Sequence, residues 1–146
     1  MRETCNEKYD AIFNLFTSFG YFEDDADNHK TIKAIHNSLT ETGFAVIDFM
    51  NVDYVVENLV ADEVKSVDGI DFHIKRYLKD GHIYKEIDFE DKGEKFHFTE
   101  KVQALRLEDF EKIMEEAGIY LLDIFGDYKL RKFFKTQSER LIMIFK

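Results

Sequence analysis

Proline is absent from the 146 residues, glycine occurs only 7 times and cysteine once. Without proline, glycine and Asp/Asn must carry the punctuation between elements. The single cysteine, Cys5, excludes an internal disulfide and a cysteine-rich zinc site. No local signature makes it a nucleophile, so it reads as an ordinary thiol in a reducing, cytoplasmic compartment. No apolar run approaches the roughly 20 residues that span a bilayer. The start, Met1 to Lys8, has no apolar stretch of the signal-peptide kind. Basic residues are also scarce: 20 Lys and Arg stand against 30 Asp and Glu, a net charge of −10. With no basic stripe to displace counterions, neither nucleic acid nor an anionic membrane is expected as a main partner.

Hydrophobic residues make up 45% of the chain, and 15 Phe with 7 Tyr supply much of that share. This is enough for a packed core and argues against a disordered or fibrous chain. The length fits a single domain, residues 1–146.

Tyr9 to Phe16 (YDAIFNLF) is a nearly continuous apolar run, the pattern of a strand buried on both faces. A turn with Gly20 follows, and Glu23, Asp24 and Asp25 suit a helix N-terminus through charge–dipole attraction. Ile32, Ile35 and Leu39 then share a helical face. Gly43 ends that segment, and Phe44 to Phe49 reads as a second buried strand. Strand, helix and strand form a parallel βαβ unit with a right-handed crossover. A short helix is expected around Asp53 to Leu59.

Beyond it the pattern changes to strict alternation. Ile70, Phe72, Ile74 and Leu78 share one face of a strand, and Asp80-Gly81 is a two-residue hairpin signal. Folding there pairs Leu78 with Ile83, Ile74 with Ile87 and Phe72 with Phe89. The other face pairs Tyr77 with Tyr84, Lys75 with Glu86 and His73 with Asp88, so both faces agree on one register. A second turn at Lys92-Gly93 pairs Phe89 with Phe96, Ile87 with Phe98 and Ile83 with Val102. The expectation is a three-stranded antiparallel meander. His73, Asp88 and His97 lie side by side on its polar face. Cross-strand His–Asp pairs are ordinary on solvated sheets, so no metal is assigned. Arg76, Lys85 and Glu100 form a charged lane across the apolar face, expected at an open edge or in an interface.

Leu107, Phe110, Ile113, Met114 and Ala117 mark an amphipathic helix stopped by Gly118. Ile119 to Phe125 and Leu141 to Phe145 read as third and fourth core strands.

Several segments occur in a telling order. They are Asp10 to Phe22 (DAIFNLFTSFGYF), the Thr40 to Gly43 turn (TETG) before Phe44 to Phe49, Glu116 to Ile119 (EAGI), and Ser138 to Ile144 (SERLIMI). Gly126 to Tyr128 and Arg140 accompany the last strand. As an ordered set they resemble the C-terminal half of class I S-adenosylmethionine-dependent methyltransferases, of the small-molecule, glycine N-methyltransferase-like type. The resemblance spans nearly the whole chain. It implies a partial Rossmann-like α/β sheet in the order 4-5-7-6, the last strand antiparallel, with the meander inserted over about 64–105.

The family grips its cofactor with closely spaced glycines after the first strand. Here no two glycines lie closer than Gly118 and Gly126, so the N-terminal cofactor-binding half is expected to lie outside this chain. The resemblance implies that Asn14, Phe16, Phe19, Tyr21 and Phe22 line the methyl donor and acceptor, at the edge where open α/β sheets gather ligands. A packed aromatic turn is the alternative. Asp48, Asn51 and Tyr54 follow the second strand. They are candidates for acceptor contacts, or else an Asn/Asp turn and helix start. No catalytic residue is assigned, because in-line displacement at a sulfonium asks mainly for positioning.

The expected function is methyl transfer from S-adenosylmethionine to a small-molecule acceptor in a complemented enzyme, the chain alone being inactive. The alternative is a non-catalytic binding or interaction domain. Strand 9–16, stripped of its neighbours, becomes an exposed edge, so a homodimer or a pairing partner chain is expected there.

Overall fold

The structure, a computed structural model, describes residues 7–146. Met1, Arg2 and Cys5, and the side chain of Asp25, lie outside the described part. In chain order the elements are β1 (Tyr9–Asn14), α1 (Asp25–Asn37), β2 (Leu39–Met50), α2 (Val52–Glu57) and β3 (Asp62–Val67). Then come β4 (Ile70–Lys79), β5 (His82–Asp91), β6 (Glu94–Gln103), α3 (Leu107–Ala117), β7 (Leu121–Phe125) and β8 (Arg140–Phe145). They fall into two compact units, one running up to Val55 and resuming at Leu105–Lys146, the other Val56–Ala104. No helix among the described residues is long and apolar enough to cross a membrane.

In the first unit the sheet order is β1-β2-β8-β7, with β1 parallel to β2 and β8 antiparallel to both its neighbours. This is the expected 4-5-7-6 order with its antiparallel last strand. Strand β2 is central, and every residue from Ala45 to Met50 is buried, so both of its faces carry core. Ile47, Phe49, Leu141, Met143 and Phe145 are all at most 1% exposed. Helices α1 and α3 pack against each other. Asp24 caps α1 by accepting the Ala26 N–H at 2.9 Å. Ile32 and Ile35 are buried, as their spacing predicts. Gly118, at φ 71°, ends α3 in the left-handed region, with its own N–H and that of Ile119 returned to Glu115 and Met114.

Four expectations change here. Leu39 is not on α1: the helix ends at Asn37, and Leu39 opens β2 opposite Tyr9. Gly43 therefore lies inside a strand rather than at a helix end. Between the Tyr9↔Leu39 and Ala11↔Phe44 pairs β2 bulges, and a Cβ on Gly43 would sit 2.8 Å from the Tyr9 carbonyl oxygen. The glycine answers to a close backbone approach, not to a helix stop. Strand β1 is not buried on both faces, since Phe13 is 59% exposed; among the described residues it pairs with β2 alone, the edge position expected of it. At the opposite edge β7 begins at Leu121, since Gly118 and Ile119 are spent on capping α3, and Leu122 is 56% exposed.

The second unit is an antiparallel sheet of sequential strands, β3-β4-β5-β6. The predicted pairs Leu78–Ile83, Ile74–Ile87, Tyr77–Tyr84 and His73–Asp88 are present, as are Phe89–Phe96, Ile87–Phe98 and Ile83–Val102. The Phe72 and Phe89 ring centroids are 4.8 Å apart. Asp68-Gly69, Asp80-Gly81 and Lys92-Gly93 all have positive φ at both positions, the geometry that matches the twist of paired strands. The first of these turns adds a fourth strand, β3, to the three expected. It also supplies a partner for the charged lane: Glu63 on β3 meets Arg76 at 2.7 Å, and Lys85 meets Glu100 at 3.2 Å. The lane is internally paired. The hydrogen bond from Arg76 holds the Glu63 carboxyl below its ordinary 4.5.

Candidate functional site

The parallel strands β1 and β2 run side by side with Asn14 opposite Ile47, so their C-terminal ends open on the same edge of the sheet. Leaving β1, the chain turns sharply. Asn14 is 6% exposed, and Ser18 Oγ lies 3.0 Å from its Oδ1. Phe16 and Thr17 follow with φ of 59° and 56°. Neither is glycine, and two successive left-handed residues persist only where surrounding contacts over-determine them.

Asp48 supplies those contacts. It lies within β2, in the part Phe44 to Phe49 expected as a strand, and its side chain is 1% exposed. Oδ1 accepts from Arg140 Nε at 2.7 Å. Oδ2 accepts from the Phe16 N–H at 2.9 Å and the Tyr128 hydroxyl at 3.0 Å. The Asp48 carbonyl takes the Thr17 N–H at 3.0 Å. Arg140 donates a second hydrogen bond, from Nη2 to Thr17 Oγ1 at 3.0 Å, and its guanidinium lies 5.8 Å from the Tyr128 ring centroid.

A carboxylate this buried is tolerable only with its charge matched and its lone pairs engaged, and both conditions hold. Desolvation of the Tyr128 hydroxyl, followed by its bond to Asp48, pushes that group above its ordinary 10.0, while Arg140 partly opposes the rise. The phenol therefore stays a donor at neutral pH. What the cluster presents outward is aromatic: Phe16 is 76% and Tyr128 62% exposed, with ring centroids 6.5 Å apart. Behind those rings stands a braced polar layer. The arrangement suits holding a group in place better than moving a proton.

The structure brings Phe16 and Asp48 together and leaves Asn14 on the adjoining strand, opposite Ile47 and bonded to Ser18. Phe19 instead enters the core at 0% exposure, 5.4 Å from Phe110, with Phe22 edge-on behind it at 6.5 Å. Tyr21 stays on the surface, 53% exposed. Asn51 is buried and donates its amide hydrogens to the carbonyls of Lys135 and Ser138 at 2.8 and 2.7 Å, pinning the segment before β8. Tyr54 sits on α2, half-buried. Sequence reading missed Thr17 altogether and took Tyr128 and Arg140 only as marks of resemblance. A signal for the pair was present: one acid inside the apolar run FAVIDFM needs a cation, and Arg140 heads the apolar strand RLIMIF.

Other charged groups have structural partners. Arg106 pairs with Asp53 at 2.9 Å, and Lys135 pairs with Glu108. The Lys135–Glu108 hydrogen bond lowers the Glu108 carboxyl and raises the Lys135 ammonium. On the second unit His97 Nδ1 meets Asp88 at 2.7 Å on an exposed face. Among the described residues no three His, Cys, Asp or Glu gather where they could hold a metal.

No family model matches the chain. It is 27% identical over 124 residues to a glycine/sarcosine/dimethylglycine N-methyltransferase of Actinopolyspora halophila, covering 84% of this chain and 21% of that protein. It is 25% identical over 126 residues to a glycine/sarcosine N-methyltransferase of Halorhodospira halochloris, covering 84% and 45%. Among solved structures, an S-adenosylmethionine-dependent methyltransferase from Clostridium acetobutylicum superposes with a TM-score of 0.84 at 25% identity, over 98% of this chain and 60% of that one. The CcbJ methyltransferase from Streptomyces caelestis gives 0.80 at 12% identity, over 97% and 58%, a likeness of fold alone. The chain thus spans between a fifth and three fifths of the proteins it matches. It has the α/β fold of S-adenosylmethionine-dependent methyltransferases, with one mixed and one antiparallel sheet.

Proposed function

We propose that this chain supplies the acceptor-side portion of an S-adenosylmethionine-dependent methyltransferase that methylates a small molecule. The observation that carries the reading is the Asp48–Arg140–Tyr128 cluster. It stands where β1 and β2 end, at the ligand-gathering edge of an α/β sheet, in a chain whose whole length superposes on such an enzyme. S-adenosylmethionine supplies an electrophilic methyl, and the protein's share of such a reaction is orientation and the exclusion of water. We assign orientation to Phe16 and Tyr128, which Asp48 holds in place. The fit to the cofactor is partial. A polar, aromatic edge for the reacting end is present, whereas the closely spaced glycines that admit the phosphate or ribose end of a nucleotide ligand are not among the 146 residues.

Strand β1 follows from the same reading. Among the described residues β1 has β2 as its one neighbouring strand, and Phe13 is exposed beside Phe44, so a further strand can be added at its outer edge. We take that strand to come from a second copy or from a companion chain carrying the cofactor side. The test is titration of the isolated chain with S-adenosylmethionine by calorimetry, together with light scattering. The reading expects binding no tighter than millimolar for the chain alone, and a mass above that of one chain. Micromolar binding by a monodisperse monomer would overturn the shared-site form of the proposal. No transfer of labelled methyl in any complemented preparation would favour a non-catalytic interaction domain.

A further inference from the structure

Asp48 does more than neutralise Arg140. Of its three side-chain hydrogen bonds, two go to Oδ2, and these come from the Phe16 backbone and the Tyr128 hydroxyl. Both donors belong to residues whose rings face outward, one 32 residues before Asp48 and the other 80 residues after it. One oxygen atom thereby fixes two aromatic rings relative to each other. The left-handed backbone at Phe16 and Thr17 would not hold itself: their N–H groups are taken by Asp48, the first by its side chain and the second by its carbonyl. Arg140 completes the set by gripping Thr17 Oγ1 and lying against the Tyr128 ring.

We infer that Asp48 is a positioning residue, which sets the Phe16 and Tyr128 rings as a fixed aromatic wall against which the group to be methylated, or the sulfonium that methylates it, is held. Aromatic faces attract the partial positive charge of methyls on a sulfonium or ammonium, so a rigid pair favours one approach direction. This rests on the functional reading above for what occupies the wall, though not for the wall itself. Asp48 touches no reacting atom in this account. A carboxylate already holding three donors has little capacity left to act as a base.

The experiment is NMR on the full chain, wild type against Asp48→Asn. The substitution keeps the side-chain volume but replaces one acceptor oxygen with a donor. Expected are loss of the Phe16–Tyr128 ring cross-peaks and loss of the strong intraresidue HN–Hα cross-peaks that positive φ produces at Phe16 and Thr17. Amides of β2 and β8 should stay protected. Ring and backbone cross-peaks that persist in Asp48→Asn would overturn the inference. Should that variant fail to fold, Tyr128→Phe decides: it keeps the Asp48–Arg140 pair and removes only the hydroxyl. The ring cross-peaks should then weaken while the Phe16 backbone signature stays, and unchanged ring cross-peaks would be the contrary result. Adding S-adenosylhomocysteine at millimolar concentration separates the two levels. If neither ring shifts in the wild type, the chain alone holds no cofactor against the rings, as the shared site expects, and the cross-peaks alone judge the positioning. If both rings shift equally in the wild type and Asp48→Asn, the positioning role falls and the functional reading stands.

Discussion

The two units reach their order by opposite routes. In the Val56–Ala104 unit each strand pairs with the next one along the chain, through two-residue turns of positive φ. In the other unit the neighbours are far apart in sequence, and the candidate site is more scattered still. Asp48 reaches 32 residues back to Phe16, 80 forward to Tyr128 and 92 forward to Arg140. Local pairing makes a unit easy to infer from sequence and quick to form, whereas non-local pairing concentrates function where several segments meet.

Breaking the non-local unit should have the largest effect. Phe49 is fully buried and packs 5.3 Å from Phe110. Phe49→Ala should cost about 3–5 kcal/mol by urea unfolding followed at β2 and β8 amides. The cross-strand contacts of β4 with β5 should survive that substitution. Their simultaneous loss would show that the hairpin unit depends on the other for its register.

The local unit should respond less, and locally. Gly81 sits at φ 71° in the Asp80-Gly81 turn with nothing near its missing Cβ, so the cost of Gly81→Ala is conformational alone. A left-handed residue other than glycine costs roughly 1–2 kcal/mol. Amide exchange should rise in β4 and β5 next to the turn and remain unchanged at β8. A global loss of protection would contradict the contrast between the two units.

The smallest effect is electrostatic. The Arg76 hydrogen bond keeps Glu63 below its ordinary 4.5. A group whose folded value is depressed contributes stability above its unfolded value, and that contribution fades as pH falls through the folded value. Arg76→Gln should therefore return the Glu63 carboxyl carbon titration towards 4.5 and flatten the acid side of the stability profile. An unmoved titration would mean that the pair seen across β3 and β4 is not populated in solution.

This contrast also explains what the sequence disclosed. The register of β4, β5 and β6 followed from alternation and two turn dipeptides, because every partner lay within one hairpin. Strand β3 escaped notice although Asp68-Gly69 was as clear a turn as the others: Asp62–Val67 is mostly exposed and polar, so it lacks the alternation that marked its neighbours. The sheet order of the first unit became legible only through the family resemblance, since nothing local in Leu141–Phe145 says that it lies between β2 and β7. Within the site, Phe16 and Asp48 were both singled out, yet not as partners. Phe19 was taken with them because sequence proximity does not reveal which way a ring turns: three residues after Phe16, it points into the core.

The bulge opposite Tyr9 and the Asp48 contacts together have a consequence in time. Residues 9–17 can pair with β2 soon after β2 is made, but the left-handed turn at Phe16 and Thr17 has no guanidinium to close on until Arg140 appears, 92 residues after Asp48. At a synthesis rate of about 5–20 residues per second, that is a wait on the order of 5–20 s. During it the acid lacks the guanidinium that matches its charge, and Thr17 Oγ1 lacks the donor that Arg140 supplies. The closing of this edge thus waits on β8, and a strand made late sets one made early.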